Sequence, residues 1–457
     1  MNVLLLSAYE SGHQPFGLAS PAAWLREDGF YVGVLDLSQT PLDEPAVRDA
    51  SLIAIYLPMH TATRIALRVL ARAQALNPAA HLCAYGLYAP LNAEMLRRSG
   101  VATILGGEFE AGLLALAQRL RASGGGNGQQ PQREPEISLE RQQFRVPDRS
   151  GLPELERYSR LVLPDGTERV AGYTEASRGC QHLCRHCPVV PVYGGKFRIV
   201  DREVVLEDIR RQVAAGARHI TFGDPDFFNG VRHALELVEA LHREHPQVGY
   251  DVTIKVEHLL KHARHLPTLR STGCAFVTTA VESLDDRVLA LLDKGHTRAD
   301  FFRLVSLFRE TGLVLAPTFV AFTPWTMLEG YEELLRTLAA LDLVESVPPV
   351  QLMLRLLIPA GSRMLELEEV QEIIGPFDEA ALSYRWKHPD PRVDQLQREV
   401  AATVEAGVEK EWDRGAVFCE AWKLARRALQ QPLPALPAVM PGLARATIPY
   451  LTEPWFC

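Results

Sequence analysis

Twice along this 457-residue chain, short apolar runs of strand-like composition alternate with amphipathic stretches of helical period. This alternation constrains the fold more than any other feature, because strands separated by helices pair in parallel, and a parallel sheet needs cover on both faces. In the first block Val3 to Ser7, Tyr31 to Leu37, Ser51 to Leu57, Ala80 to Tyr85 and Ala102 to Leu105 read as strands. Pro21 to Glu27, Thr61 to Leu76, Leu91 to Ser99 and Glu110 to Arg121 read as the helices between them. The pattern predicts a doubly wound parallel sheet over residues 1–121, with ligands at the carboxyl ends of its strands. The stretch Ala122 to Pro135 is polar, rich in glycine and too poor in apolar residues to pack, so 122–171 reads as a linker and connecting segment.

The second block has candidate strands at Tyr173 to Ser177, His219 to Gly223, Tyr250 to Val256, Ala275 to Val281, Ala316 to Phe322 and Pro349 to Leu357. Helical stretches fall between them, at Val204 to Ala215, Gly230 to Glu244 and Arg298 to Thr311 among others. Six such repeats predict a partial (β/α)6 barrel over 172–375, with the functional loops at the carboxyl ends of its strands. Residues 376–457 turn helical and charged, then proline-rich, and read as a carboxy-terminal extension over part of the barrel. The fold class is therefore α/β: a doubly wound sheet, a partial barrel and a helical extension.

A net charge of -8 argues against a general polyanion-binding surface, so nucleic acid is a poor partner. The apolar run at Val3 to Leu6 lacks a basic flank and is too short for a signal peptide or a membrane span, and no other segment approaches one. A cytoplasmic protein without membrane attachment is the expectation. Seven cysteines, three of them in one motif, do not form a disulfide framework.

Those three are spaced Cys180-x-x-x-Cys184-x-x-Cys187, directly after a strand-like segment that ends in Arg178-Gly179. Three thiolates on one short loop can hold three irons of a four-iron cluster and leave the fourth open to a substrate. The competing reading is structural zinc, with His182 and His186 interleaving the cysteines, but zinc patterns pair two two-ligand knuckles and no second pair lies nearby.

The motif and its place after the first barrel strand resemble the radical S-adenosylmethionine (SAM) enzymes over roughly Gly172 to Gly361. The resemblance implies that Cys180, Cys184 and Cys187 bind a 4Fe–4S cluster as the catalytic metal ligands, that SAM chelates the open iron, and that an external donor such as flavodoxin or ferredoxin supplies electrons. Further segments carry it. Phe222-Gly223-Asp224-Pro225-Asp226 stands where the family has a glycine-rich turn for the SAM amino group, although it departs from the commoner Gly-Gly-Glu form. Gly223, Asp224 and Asp226 are accordingly cofactor-binding candidates, against the alternative of a plain acidic turn. Val281-Glu282-Ser283 is similar to the Gly-Val-Glu-Ser strand of the cobalamin-binding branch, and makes Glu282 and Ser283 candidates for SAM contact, against capping or an ion pair. Arg355, in an otherwise apolar strand, needs an open barrel lumen or a buried anionic partner, either the SAM carboxylate or a structural acid. Lys255 interrupts the third strand and faces the lumen, as a substrate contact, or solvent.

The first block is similar to the cobalamin domain that often precedes such barrels. Gly86, Gly106 and Gly107 stand where a corrin and its nucleotide tail would approach backbone, since glycine lacks Cβ. His13 lies where an Asp-x-His-x-x-Gly motif carries the lower axial ligand, but Ser11 and Phe16 break the motif, so His13 is a ligand or a hydrogen-bonded loop histidine and cobalamin stays open. The run Glu453-Pro454-Trp455-Phe456-Cys457, with Phe222 to Gly230, Lys294 to Thr297 and Tyr384 to Trp386, resembles the CUAEP/CCAEP-tail radical SAM proteins. In that likeness Cys457 sits inside a Cys-Cys or Cys-selenocysteine tail and is a substrate-holding candidate.

The function these readings imply is a cluster-dependent transferase acting on a small molecule or peptide, with cobalamin-dependent methyl transfer to an unactivated centre foremost. The alternatives are cobalamin-independent transfer of an aminocarboxypropyl group to a soft atom such as arsenic held by tail cysteines, and a non-catalytic cobalamin or iron–sulfur sensor.

Overall fold

The computed structural model describes residues 1–123, 133–432 and 450–452. The first six strands are β1 (Asn2–Ser7), β2 (Tyr31–Asp36), β3 (Leu52–Tyr56), β4 (His81–Tyr85), β5 (Thr103–Gly107) and β6 (Ile137–Ser138). They form one parallel sheet in the order β2-β1-β3-β4-β5-β6. Successive side chains on a strand point to opposite faces. Hence Val3, Leu5, Leu52, Ala54, Cys83 and Tyr85 pack under the helices Phe16–Glu27 and Phe109–Ser123. Leu4, Leu6, Ile53, Ile55, Leu82 and Ala84 pack on the other face, against His60–Leu76 and Ala93–Arg98. The expected helix Leu91 to Ser99 is two pieces, Tyr88–Leu91 and Ala93–Arg98, because Asn92 leaves helical backbone between them.

The second sheet holds β7 (Arg160–Val162), β8 (Glu168–Thr174), β11 (His219–Phe222), β12 (Gly249–Thr253), β13 (Cys274–Glu282), β14 (Leu315–Phe319) and β17 (Tyr450–Leu451), in the order β14-β13-β12-β11-β8-β7-β17. The five strands from β8 to β14 are parallel, whereas β7 and β17 extend the sheet in antiparallel fashion. The expected first strand, Tyr173 to Ser177, is split. β8 stops at Thr174, and β9 (Ser177–Gly179) pairs instead with β10 (Phe197–Ile199), closing the cysteine loop at its base. The expected sixth strand is reduced to a single parallel bridge between Phe322 and Arg355, and Pro349–Leu352 is a tight helical turn. Pro348 and Pro349 offer no N–H to a ladder, which accounts for the loss.

Beyond the barrel a hairpin of β15 (Ile374–Asp378) and β16 (Ser383–Trp386) precedes two long helices, Pro391–Glu409 and Arg414–Ala428. Val393, Leu396, Val400, Phe418 and Trp422 of these helices join the core of the barrel, so the extension is part of its packing. The proline-rich run from Leu433 to Pro437 and the tail with Cys457 lie outside the described residues.

Candidate active site

The cysteine loop hangs between Gly179, in left-handed backbone at φ +73°, and the helix Val189–Tyr193. A side chain at Gly179 would overlap Tyr193, so this turn needs glycine. Arginine and serine hold the loop's free carbonyls: Arg363 donates to Leu183 O (2.8 Å) and Ser362 to Arg185 O (3.2 Å). Cys184 is buried and Cys180 and Cys187 half-buried, with Leu87, Leu91, Leu139, Val189 and Val192 packed beside the latter two. Burial pushes the Cys180 thiol up to about 12 and the Cys187 thiol up to about 11, with Cys184 adding to the rise in both cases. Three thiols on one closed loop, against an apolar wall, suit a cluster whose cationic iron replaces their protons.

The two histidines of the loop are already engaged. His182 Nε2 lies 3.3 Å from Asp226 Oδ2, and its Nδ1 lies 3.1 Å from Lys255 Nζ. His258 Nδ1 reaches the same Asp226 oxygen at 2.7 Å, while its Nε2 meets the Gln181 amide at 2.6 Å. One atom each of Cys180, His182 and Asp226 come within 4.8 Å of one another. His186 Nε2 contacts Glu282 Oε1 at 3.1 Å, and Lys294 Nζ reaches that oxygen at 3.3 Å. Burial alone would raise Glu282, but the Lys294 ammonium and His186 overcome it and hold the carboxyl at about 2. Glu282 also adopts a left-handed backbone, φ +68°, at an irregularity in the β13–β14 pairing. A non-glycine residue in that region stores strain, a feature that clusters at functional sites.

Of the residues singled out from sequence, Asp226, Glu282 and Lys255 converge on the cysteine loop. Lys255 stands just after β12, is buried and turns to His182 and Glu257. Asp224 instead accepts from Ala176 N (2.9 Å) and Ser177 Oγ (2.5 Å), bracing the chain ahead of β9. Gly223 sits where a side chain would overlap Tyr173. Ser283 Oγ accepts from Asp285 N at the next helix start. Arg355 takes the ion-pair alternative: it donates to Asp394 Oδ1 and Trp386 O, both at 2.6 Å, with its guanidinium over the Trp386 ring. His13 is buried and faces the barrel, its ring 4.9 Å from that of Tyr173; burial lowers its pKa to about 4. Gly86, Gly106 and Gly107 are all buried in the first sheet's edge. Cys83 and Cys274 are buried in strands, as small apolar residues would be.

Sequence reasoning did not find His258, Gln181 or the ionic role of Lys294. It also missed a buried ionic cluster beside the loop. Arg178 (6% exposed) forks onto Glu110 through Nη1 (2.8 Å) and Nη2 (2.7 Å), and its Nε donates to Glu175 (2.7 Å). Glu108 lies 3.7 Å from the same guanidinium and accepts from Tyr193 Oη at 3.2 Å. Glu-x-Glu at the end of an apolar strand was the available signal, since buried acids demand a partner.

Residues 174–341 match the model of the Radical SAM superfamily, so this part of the chain is a radical SAM domain. The hopanoid C-3 methylase of Methylococcus capsulatus is 26% identical over 160 residues, 35% of this chain and 30% of that protein. A tRNA-2-methylthio-N(6)-dimethylallyladenosine synthase of Chlorobium phaeobacteroides is 26% identical over 194 residues, 41% of this chain and 42% of that protein. The chain thus spans less than half the length of these curated relatives. Among solved structures, the cobalamin-dependent SAM radical enzyme OxsB with aqua-cobalamin and SAM bound aligns at TM-score 0.65 with 13% identity, over 89% of this chain and 67% of that one. The radical SAM methyltransferase TsrM from Kitasatospora setae, with cobalamin and a [4Fe-4S] cluster, aligns at TM-score 0.58 with 18% identity, over 75% and 73%. The sheet-plus-barrel architecture expected from sequence is the fold these enzymes share. No described helix is long and apolar enough to cross a membrane.

Proposed function

We propose that the protein is a radical SAM transferase acting on a small molecule or peptide with an external one-electron donor. The observation that carries this is the closed three-thiol loop with a strained, ionised Glu282 beside it. Cys180, Cys184 and Cys187 would hold the four-iron cluster. That cluster would supply the electron needed to open a sulfur–carbon bond of the SAM sulfonium. The chain's own groups do the positioning. Buried thiols release protons on taking up iron. Glu282 offers a carboxylate, fixed by Lys294 and His186, to the ribose hydroxyls or ammonium of SAM. Asp226 orients His182 and His258, and Lys255 brings a cation to the same rim. Leu87, Leu91 and Val192 keep water from the opposite side.

Methyl transfer with cobalamin draws support from the likeness in fold to OxsB and TsrM. Aminocarboxypropyl transfer without cobalamin is the second reading, favoured by the packing of Tyr56 and Tyr85 argued below. The test is anaerobic reconstitution with iron and sulfide, addition of SAM and dithionite with and without hydroxocobalamin, and mass spectrometry of the SAM fragments. 5'-Deoxyadenosine with a methylated product supports the first reading and methylthioadenosine the second. No cleavage by protein carrying four irons per chain overturns the transferase proposal and leaves the sensor.

A further inference from the structure

We infer that the carboxyl edge of the first sheet is closed to the nucleotide tail of a corrin, and that this surface holds the cysteine loop instead. The inference rests on the radical SAM reading of the barrel but not on which group is transferred. A corrin tail that enters such a sheet needs small residues at the strand ends and free space beyond them. Here the strand ends carry Tyr56 and Tyr85, which pack with Phe109 at ring separations of 5.3, 5.7 and 5.1 Å, all three buried. Tyr85 Oη donates to Gly17 O at 2.9 Å and so ties the trio to the first helix.

Each glycine that marked an approach to backbone is accounted for by the chain's own atoms. A side chain at Gly86 would lie 2.8 Å from the Tyr56 ring, and one at Gly17 would overlap the other edge of that ring, so Tyr56 is sandwiched between the two. Gly106 is filled by Pro90, and Gly107 by the Ser138 carbonyl of β6. The loop after β1 is held against the barrel and the segment that leads into it. The His13 ring lies 4.9 Å from that of Tyr173 of the barrel, tilted by 33°, Ser159 donates to Gly12 O (3.0 Å), and Gln14 donates to Pro153 O (2.7 Å). The acids just past Gly107 are committed as well: Glu108 and Glu110 hold Arg178 on one flank of the cysteine loop and, through Tyr193, the other. Opening this edge to a ligand would break that ionic cluster.

The test uses the full chain, reconstituted anaerobically and shown by iron analysis to carry its cluster. Equilibrium dialysis against hydroxocobalamin is followed by visible absorbance of the retained protein, and SAM cleavage is measured with and without the added corrin. At about 0.1 mM free corrin we expect less than about a tenth of an equivalent retained, an affinity weaker than about 1 mM, and a cleavage rate unchanged within about twofold. Retention near one equivalent, or SAM cleavage that requires hydroxocobalamin, overturns the inference. Absence of cleavage under both conditions, with no corrin retained, counts against the transferase reading while leaving the closed edge standing.

Discussion

Arg178 is the residue whose loss should be most informative about how the two sheets cooperate. It lies two positions before Cys180 and carries three short charge-assisted bonds, two to Glu110 and one to Glu175, while stacking near Phe16, Phe109 and Phe144. Arg178→Met keeps much of the apolar stem but leaves Glu108, Glu110 and Glu175 without their cation. Removing one partner of a buried ion pair costs about 3–5 kcal/mol, because the remaining charge stays desolvated. At 1.4 kcal/mol per decade, amide exchange by local opening at Ser177 to Cys180 and Gly106 to Glu110 should accelerate by about two to three and a half orders of magnitude.

The loss should grow as pH rises above about 4.5. Burial tends to raise Glu110, yet Arg178 and its hydrogen bonds hold it below the ordinary carboxylate value. In the variant burial wins, so an acid whose charge stabilised the folded state above that pH becomes one whose charge opposes it. Hydrogen-exchange mass spectrometry of the apo chain reads both effects. Pairing with Glu110→Gln supplies a cycle in which the double variant should be little worse than the poorer single variant. Additive losses, or acceleration of less than about tenfold in Arg178→Met, would refute the clamp.

Replacing Cys180, Cys184 and Cys187 together with Ala should abolish iron–sulfur absorbance and SAM cleavage, whereas Cys83→Ala should retain both; a full cluster in the triple variant contradicts the assignment. Glu282→Gln removes the charge that Lys294 faces and should weaken SAM binding by about tenfold, or about 1.4 kcal/mol, with cluster content kept, as measured by dialysis with labelled SAM. Burial raises Glu108 and Asp224 to about 7 each, with Arg178 and local hydrogen bonds respectively opposing the rise. Their folded forms keep protons that the unfolded chain has released, so their contribution makes stability fall from about pH 4 to about pH 7 and level off above. Glu108→Gln and Asp224→Asn should each flatten that part of the Tm-against-pH curve; an unchanged slope argues that the two acids are ionised throughout.

Periodicity and residue chemistry alone determined a good deal here. Strand and helix alternation was enough for the five parallel strands β1 to β5 and for β8, β11, β12, β13 and β14, because runs such as Leu52 to Tyr56 are apolar at every position and bury on both faces. The helix Arg298–Thr311 lies where its pattern put it, started by a Thr297–Asp300 capping box and ended at Gly312 in left-handed backbone. The cysteine spacing marked the three-thiol loop, since it depends on local chain geometry. Tertiary structure decided what depends on partners far apart in sequence. Asp224 and Asp226 stand two residues apart in one turn, yet one braces the first barrel strand's exit and the other faces His182 and His258. Arg355 found Asp394 in a helix that periodicity had placed only loosely. Glycine at 86, 106 and 107 reads identically whether a ligand or a neighbouring ring fills the missing Cβ. Only the placement of Tyr56, Pro90 and Ser138 around these glycines distinguishes the two, because a one-dimensional pattern records which residue is small and not what occupies the space beside it.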